Sequence, residues 1–136
     1  MIEGYNSGLS IGYQGVEGSF SEEALIQYFG TDVTRINVRE FRDVFIGIKN
    51  DDFKYGVLPI ENSSTGAVAE VYDLLREFGY AIIGEKCIRV VHNLLGLKGS
   101  EISGIKEIYS HPQAINQSKE YLKELGDIKI IPTLNT

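Results

Sequence analysis

The chain has 136 residues, and its 13 basic and 19 acidic side chains give a formal net charge of −6. This balance excludes a general nucleic-acid binder, because neutralising phosphates requires a basic face. With 43% apolar and 24% charged residues, the composition is that of a globular domain and indicates neither disorder nor a fibre. A chain of this size supports one compact domain or two small lobes.

The N-terminal sequence and the cysteine count favour a cytoplasmic protein. The first residues lack a basic segment followed by an apolar core, and no run approaches the ~18 apolar residues of a membrane span, so no membrane partner is expected. Cys87 is the only cysteine, which excludes an internal disulfide and a cysteine-based metal site. We expect its thiol to be packed and inert.

Strand and helix patterns alternate along the first third of the chain. A short strand over 9–13 precedes a glycine-rich loop, and apolar residues at helical spacing then predict a helix over 20–29. A second strand is predicted over 36–38. Asp43 is predicted to cap a short helix that follows it.

The remaining elements continue the alternation. The nearly continuous apolar run 55–60 is typical of a strand buried on both faces of a parallel sheet. Apolar positions over 67–78 predict a helix that ends at the next glycine, and residues 80–91 are predicted to be extended. A strand over 107–109, one helix from Pro112 to Leu125 and a strand over 128–131 complete the pattern.

Repeated strand–loop–helix units predict an α/β fold with a largely parallel sheet. Ligands of such sheets bind at the carboxyl ends of the strands, so the candidate binding loops are 14–19, 61–66 and 110–113. Each is predicted to lead into a helix N-terminus, where backbone N–H groups and the helix dipole favour an anion. Any one loop is more often simply a helix cap. The hydrogen-bond donors of these loops are Ser19, Ser21, Asn62, Ser63, Ser64, Thr65, Ser110, Gln113 and Gln117.

The motifs indicate no cofactor. Gly12, Gly15 and Gly18 form a GxxGxxG pattern where a dinucleotide fingerprint requires GxGxxG, and no Gly-Lys-Ser/Thr of a phosphate-binding loop follows. The two histidines lie in unrelated segments and predict no metal site. His92, at the end of an apolar strand, is expected to be structural, whereas His111, at a helix start, could orient its loop or help to receive an anion.

Three motifs in these loops resemble, in order, those of the prephenate dehydratase family. Residues 13–22 are similar to the family's opening GPxGTFSE pattern, with a valine where proline is usual. Residues 55–66 resemble its YGVVPIENSxxG segment, and residues 109–114 with Gln117 resemble its YSHPQAxxQ segment. The resemblance covers residues 9–136.

The resemblance implies a fold, a reaction and a set of site residues. The fold is two-lobed and similar to that of type II periplasmic binding proteins, with a first lobe over 1–83 and a partial second lobe over 84–136. The implied enzyme is a lyase of phenylalanine biosynthesis that converts prephenate to phenylpyruvate, water and CO2 without a cofactor. The implied catalytic residues are Asn62, Ser110 and Gln117, and the implied substrate-binding residues are Ser19, Phe20, Glu61, Ser63, Ser64, Gly66 and His111.

Two expectations follow from what the family carries elsewhere. Its Thr-Arg-Phe motif, which supplies the catalytic threonine, and its ACT domain do not occur in these 136 residues, so we expect an incomplete catalytic domain with little or no activity alone. A second lobe that lacks strands would leave an unpaired edge, which predicts a homodimer, possibly formed by exchange of elements. The alternative function is a non-catalytic module of the same fold that binds a small carboxylate.

Overall fold

The computed structural model describes residues 8–63 and 66–133, and the chain separates into two compact units, Met1–Arg89 and Val90–Thr136. Below, these are the first unit and the second unit. The assignment of two lobes with a boundary after residue 83 stays a prediction.

The first unit contains a three-stranded parallel sheet and an antiparallel pair of two-residue strands. The strands of the parallel sheet are β1 (Ser10–Gln14), β2 (Thr34–Val38) and β3 (Tyr55–Val57), in the order β2-β1-β3. The antiparallel pair is β4 (Glu61–Asn62) and β5 (Gly66–Ala67). The predicted α/β class with parallel strands is therefore confirmed. The strand predicted over 55–60 is shorter than expected, because ladder pairing with β1 stops at Val57 and the last three apolar residues lie beyond it.

Three helices follow these strands, and their ends are set by local chemistry. Helix α1 (Phe20–Phe29) ends at Gly30, and α3 (Ala69–Phe78) ends at a left-handed Gly79, both as predicted. Helix α2 (Phe41–Lys49) begins earlier than predicted. Asp43 is not the N-cap, since its carboxylate accepts a hydrogen bond from the N–H of Glu40, which takes that position.

Side chains alternate between the two faces of β1. On one face, Ile11 and Tyr13 are buried and cluster with Leu25 of α1. On the other face, Gly12 lies against the ring of Phe53, which also lies against Gly47 of α2. The two faces of the sheet are thus covered by different helices, as in a doubly wound fold.

Residues 80–97 form no helix or strand, although all of them belong to the described part of the chain. Most of their side chains are exposed, including apolar ones such as Leu95 and Leu97. Cys87 is exposed as well, so the prediction of a packed thiol is wrong. The segment has no sheet neighbour to bury it here, which explains the difference.

The second unit contains a two-stranded parallel sheet of β6 (Glu107–Ser110) and β7 (Lys129–Pro132). The helix predicted between them is split into α4 (Pro112–Gln117) and α5 (Lys119–Glu124), because the backbone of Ser118 leaves helical geometry. Within residues 8–63 and 66–133, no helix is long and apolar enough to cross a membrane.

Candidate functional site

The three predicted loops follow strands β1, β3 and β6. Strands β1 and β3 are parallel neighbours, so the segments that follow them leave the same edge of the first sheet. The order β2-β1-β3 also makes this edge the point where the chain reverses its direction of winding, which is where α/β sheets bind ligands. The third loop belongs to the second unit, where it follows β6.

The loop between β1 and α1 is held in a fixed conformation by backbone contacts. Gly15 and Gly18 both have positive φ angles, of 120° and 84°. The N–H of Gly15 donates to the carbonyl of Val38 at 3.0 Å, and the Asn37 amide donates to the carbonyl of Gly15 at 3.4 Å. Ser19, predicted to bind substrate, is the N-cap of α1: its Oγ accepts from the N–H of Glu22 at 3.4 Å.

Phe20, also predicted to bind substrate, is the first residue of α1 and is exposed over 41% of its surface. An aromatic side chain this accessible at the edge of the sheet can contact an apolar part of a ligand.

Glu22 is a residue of this loop region that the sequence interpretation missed. Its side chain is buried, with 6% of the residue exposed. One carboxylate oxygen accepts from the N–H of Gly18 at 2.6 Å, and the other lies 3.3 Å from Nε of Arg35 on β2. The capping pattern Ser19-x-x-Glu22 could have revealed it. The carboxylate therefore occupies a position at the start of α1 that an anionic ligand would otherwise take.

The same carboxylate influences the neighbouring strand. Burial raises the pKa of the Tyr13 hydroxyl, and the negative charge of Glu22 raises this pKa further. Behind the β1–α1 loop, the buried Glu22 thus forms an ion pair with the exposed Arg35 next to a protonated phenol.

The loop 61–66 does not lead directly into a helix, which corrects the sequence prediction. Glu61–Asn62 (β4) pairs with Gly66–Ala67 (β5) in a small antiparallel hairpin, and α3 begins only after Val68. In the hairpin, the backbone of Gly66 and Ala67 pairs with β4, so these residues do not begin a helix. Of the predicted site residues here, Asn62 is half-buried and Glu61 and Ser63 are exposed.

Gly66, a further predicted residue, lies in β5 of this hairpin. Gly66 has a φ of 76°, which a residue with a side chain adopts only with strain. Ser64, together with Thr65, lies outside the described residues.

The loop after β6 places its predicted residues at a strand end and a short helix. Ser110 is the last residue of β6, and its carbonyl accepts from the N–H of Thr133 at 2.8 Å. His111 is the N-cap of α4: its Nδ1 accepts from the N–H of Gln113 at 3.2 Å. His111 therefore caps α4, and its role in substrate binding stays a prediction.

Gln117 and His92 form a contact that the sequence did not predict. Gln117 ends α4, and its Oε1 lies 2.7 Å from Nε2 of His92. The two residues are 25 positions apart and both belong to the second unit. No local pattern links them, so only the three-dimensional structure reveals the pair.

Within each unit, then, the predicted residues lie at the end of a strand of a parallel pair or in the segment after it. In the first unit these are the residues of the β1–α1 loop and of the β4–β5 hairpin. In the second unit they are Ser110, His111 and Gln117. The polar groups are mostly neutral donors, which suits recognition of a carboxylate by hydrogen bonds.

Comparison with protein families gives a match over nearly the whole chain. The family model described as prephenate dehydratase matches residues 11–136. The bifunctional chorismate mutase/prephenate dehydratase of Buchnera aphidicola subsp. Acyrthosiphon pisum is 38% identical over 127 residues, covering 91% of this chain and 33% of that protein. The protein of the same description from Escherichia coli strain K12 is 34% identical over 129 residues, covering 93% and 33%. The chain spans about a third of the length of these curated relatives.

The solved structures that are similar to the chain include the following two. One, described as GqqA, a novel type of quorum quenching acylase, has a TM-score of 0.77 and 31% identity, and the match covers 93% of this chain and 46% of that one. The other is the prephenate dehydratase of Arthrobacter aurescens in complex with L-Phe, with a TM-score of 0.69 and 25% identity over 94% of this chain and 43% of that one. This likeness confirms the predicted fold class, which resembles type II periplasmic binding proteins. Since the family model extends from residue 11 to residue 136, the chain belongs to the prephenate dehydratase family.

Proposed function

We propose that the protein acts in the cytoplasm as a prephenate dehydratase, which forms phenylpyruvate, water and CO2 in the biosynthesis of phenylalanine. The observation that carries the proposal is that each of the three family motifs runs from a strand of a parallel pair into the segment after it. In α/β sheets, small ligands bind at the carboxyl ends of such strands.

The reaction needs little from the protein beyond binding and one proton. The bond between the ring and its carboxylate breaks and releases CO2, and its electron pair moves into the ring. The hydroxyl on the opposite ring carbon then leaves as water after it receives a proton. The ring becomes aromatic, which supplies the driving force, so no cofactor is required. Catalysis therefore depends on holding the dianion and on placing a proton donor at the departing oxygen.

Neutral donors are the groups we assign to the two carboxylates of prephenate. Because the carboxylate of Glu22 already lies at the start of α1, we assign this role to Asn62, Ser110 and Gln117. Preorganised amide and hydroxyl donors stabilise an anion without adding net positive charge. The proton donor implied by the family resemblance is a threonine of a Thr-Arg-Phe motif that these 136 residues do not contain.

Binding and turnover test the two parts of this proposal separately. We expect the chain to bind prephenate in calorimetric titration, and we expect Asn62→Ala and Gln117→Ala to weaken binding. We expect little or no formation of phenylpyruvate until a polypeptide carrying the Thr-Arg-Phe segment of a relative is added. Absence of binding refutes the proposed substrate. Full turnover by the chain alone refutes the assignment of the proton donor, and binding without turnover under either condition favours a carboxylate-binding module.

A second candidate activity comes from the likeness to the acylase structure, which has the higher TM-score of the two. An acylase hydrolyses an acyl compound and releases an acid, so its product is detected by proton release. If proton release from an acylated substrate is detected, and excess prephenate does not change its rate, the result favours an acylase activity over the dehydratase activity.

We also propose that the protein forms a homodimer, by direct association or by exchange of elements between chains. Leu95 and Leu97 are 87% and 86% exposed, and a groove of about 550 Å³ on the second unit is lined by apolar side chains such as Ile115, Leu122 and Ile130. Exposed apolar surface and unpaired strand edges favour association. Light scattering should give the mass of two chains at high concentration, and a sharp monomer peak there contradicts the proposal.

A further inference from the structure

We propose that His92 is a positioning residue that orients the side-chain amide of Gln117 toward a carboxylate of the bound substrate. The inference rests on the proposed function, because it gives His92 a role through a residue that we expect to contact prephenate. Neither the motifs nor the family match assigns such a role to His92.

The geometry places His92 at the end of α4. Its Nε2 lies 2.7 Å from Oε1 of Gln117, a distance typical of a strong hydrogen bond. Gln117 is half-buried at the last position of α4, and His92 lies in the segment 80–97, which has no regular secondary structure. The contact therefore ties an irregular segment to a helix end that carries a predicted site residue.

The chemistry of the two groups fixes the direction of the hydrogen bond. The structure places the amide oxygen of Gln117 toward Nε2, and because an amide oxygen only accepts, the imidazole donates in this arrangement and carries a proton on Nε2 of His92. The amide of a glutamine has two planar orientations that exchange its oxygen and its NH2 group. Donation from His92 selects the orientation in which the oxygen faces the ring, and the NH2 group lies on the opposite side.

This selection matters because only one end of the amide suits an anion. The NH2 group carries two N–H donors and no acceptor, whereas the oxygen would repel a carboxylate. A glutamine that rotated freely would present its oxygen to the substrate for part of the time. Because His92 holds the amide oxygen, the NH2 group of Gln117 is the part of the amide that can donate to the substrate carboxylate.

The first test uses the protein without ligand and reads the hydrogen bond directly by NMR. Nitrogen spectra of the imidazole should show the His92 proton on Nε2, and His92→Phe should shift the side-chain NH2 resonances of Gln117. His92→Gln, which retains an N–H donor, should move those resonances back toward the wild-type positions. A proton on Nδ1 alone, or Gln117 resonances unchanged in His92→Phe, overturns the proposal.

The second test measures prephenate binding in the same variants. His92→Phe should weaken binding about two- to tenfold, as expected for loss of one orienting hydrogen bond, and His92→Gln should recover most of it. Tyr121→Phe is the matched control, since it removes a polar atom from an exposed ring of the same unit and should bind like wild type. Equal binding by His92→Phe and wild type contradicts the orienting role, as does a His92→Gln variant as weak as His92→Phe.

A third variant separates the oxygen of Gln117 from its NH2 group. The carboxylate in Gln117→Glu keeps an oxygen acceptor for His92 but has no N–H donor. The imidazole proton of His92 should therefore remain on Nε2, while prephenate binding is lost. Retained binding in Gln117→Glu refutes the donor role. If wild type itself fails to bind prephenate, the proposed function fails, whereas wild-type binding that is independent of His92 refutes this inference alone.

Discussion

Substitution of Gly12 by alanine tests whether this glycine is needed for packing or for a ligand. A Cβ atom at position 12 would overlap Cζ and Cε2 of the Phe53 ring and lie 2.8 Å from Cδ2. The ring cannot move aside easily, because Phe53 is 3% exposed and a Cβ at Gly47 would overlap the same ring. The GxxGxxG pattern thus contains at least one glycine that serves the core.

The expected loss of stability follows from two opposing effects. Overpacking of a well-filled core costs about 1–3 kcal/mol, and replacing glycine by alanine inside a strand recovers about 0.5–1 kcal/mol. We expect a net decrease of roughly 1–2 kcal/mol in the free energy of unfolding. For a cooperative unit of the length of the first unit, Met1–Arg89, this loss of stability lowers the melting temperature by roughly 5–15 °C.

Urea unfolding of four variants gives the measurement. Phe53→Leu removes most of the ring, so Gly12→Ala should cost little or nothing in that background, and the double-mutant cycle should show a coupling energy. Gly104→Ala is the control, because a Cβ there has no neighbour within 4 Å and the backbone φ is ordinary. A cost for Gly12→Ala that is equal in both backgrounds refutes the packing argument.

Three further predictions concern charged groups. Glu22→Ala should lower the free energy of unfolding by about 1.5–3 kcal/mol, because it removes a charge-assisted hydrogen bond and an ion pair of a buried carboxylate, and urea unfolding measures the loss. Hydrogen bonding to Glu107 raises the pKa of Tyr109, so the contact stabilises at neutral pH and is lost as the pH rises through that pKa. Absorbance titration of Glu107→Gln should show one tyrosine ionising at lower pH than in wild type, and superimposable curves contradict this. The hydrogen bond from Arg42 lowers the pKa of Glu77. The stabilisation by this contact is therefore present at neutral pH and is lost as the pH falls through the lowered pKa. NMR titration of the Glu77 carboxyl carbon follows this pKa, and a midpoint at the usual value for glutamate would contradict the contact with Arg42.

Local signals were enough to predict the three parallel strands and two of the helix ends of the first unit. Glycines at 30 and 79 marked two helix ends, and apolar runs located the three parallel strands. The β4–β5 hairpin could not be predicted, because two-residue strands carry no periodic signal. The break at Ser118 was missed because the apolar spacing on either side of it is compatible with one continuous helix.

The sequence named candidate site residues, whose role stays a prediction, but it did not indicate their contacts. These residues were predicted to lie in loops after strands, whereas the structure has Asn62 in β4, Ser110 in β6 and Gln117 in α4. The contacts of Glu22 with Arg35 and of His92 with Gln117 join residues 13 and 25 positions apart. Such contacts depend on how strands and helices pack, and no sequence spacing specifies them.

The charge distribution leads to a last prediction about prephenate binding. The chain carries a net charge of −6, and the carboxylate of Glu22 neutralises Arg35 beside the β1–α1 loop. If neutral donors hold the substrate, the only long-range electrostatic term is repulsion between an acidic protein and a dianion. Salt screens that repulsion over a Debye length of about 10 Å at 0.1 M. The dissociation constant, measured calorimetrically from low to high salt, should therefore stay constant or decrease, whereas binding that weakens several-fold would mean that lysine or arginine side chains hold the carboxylates.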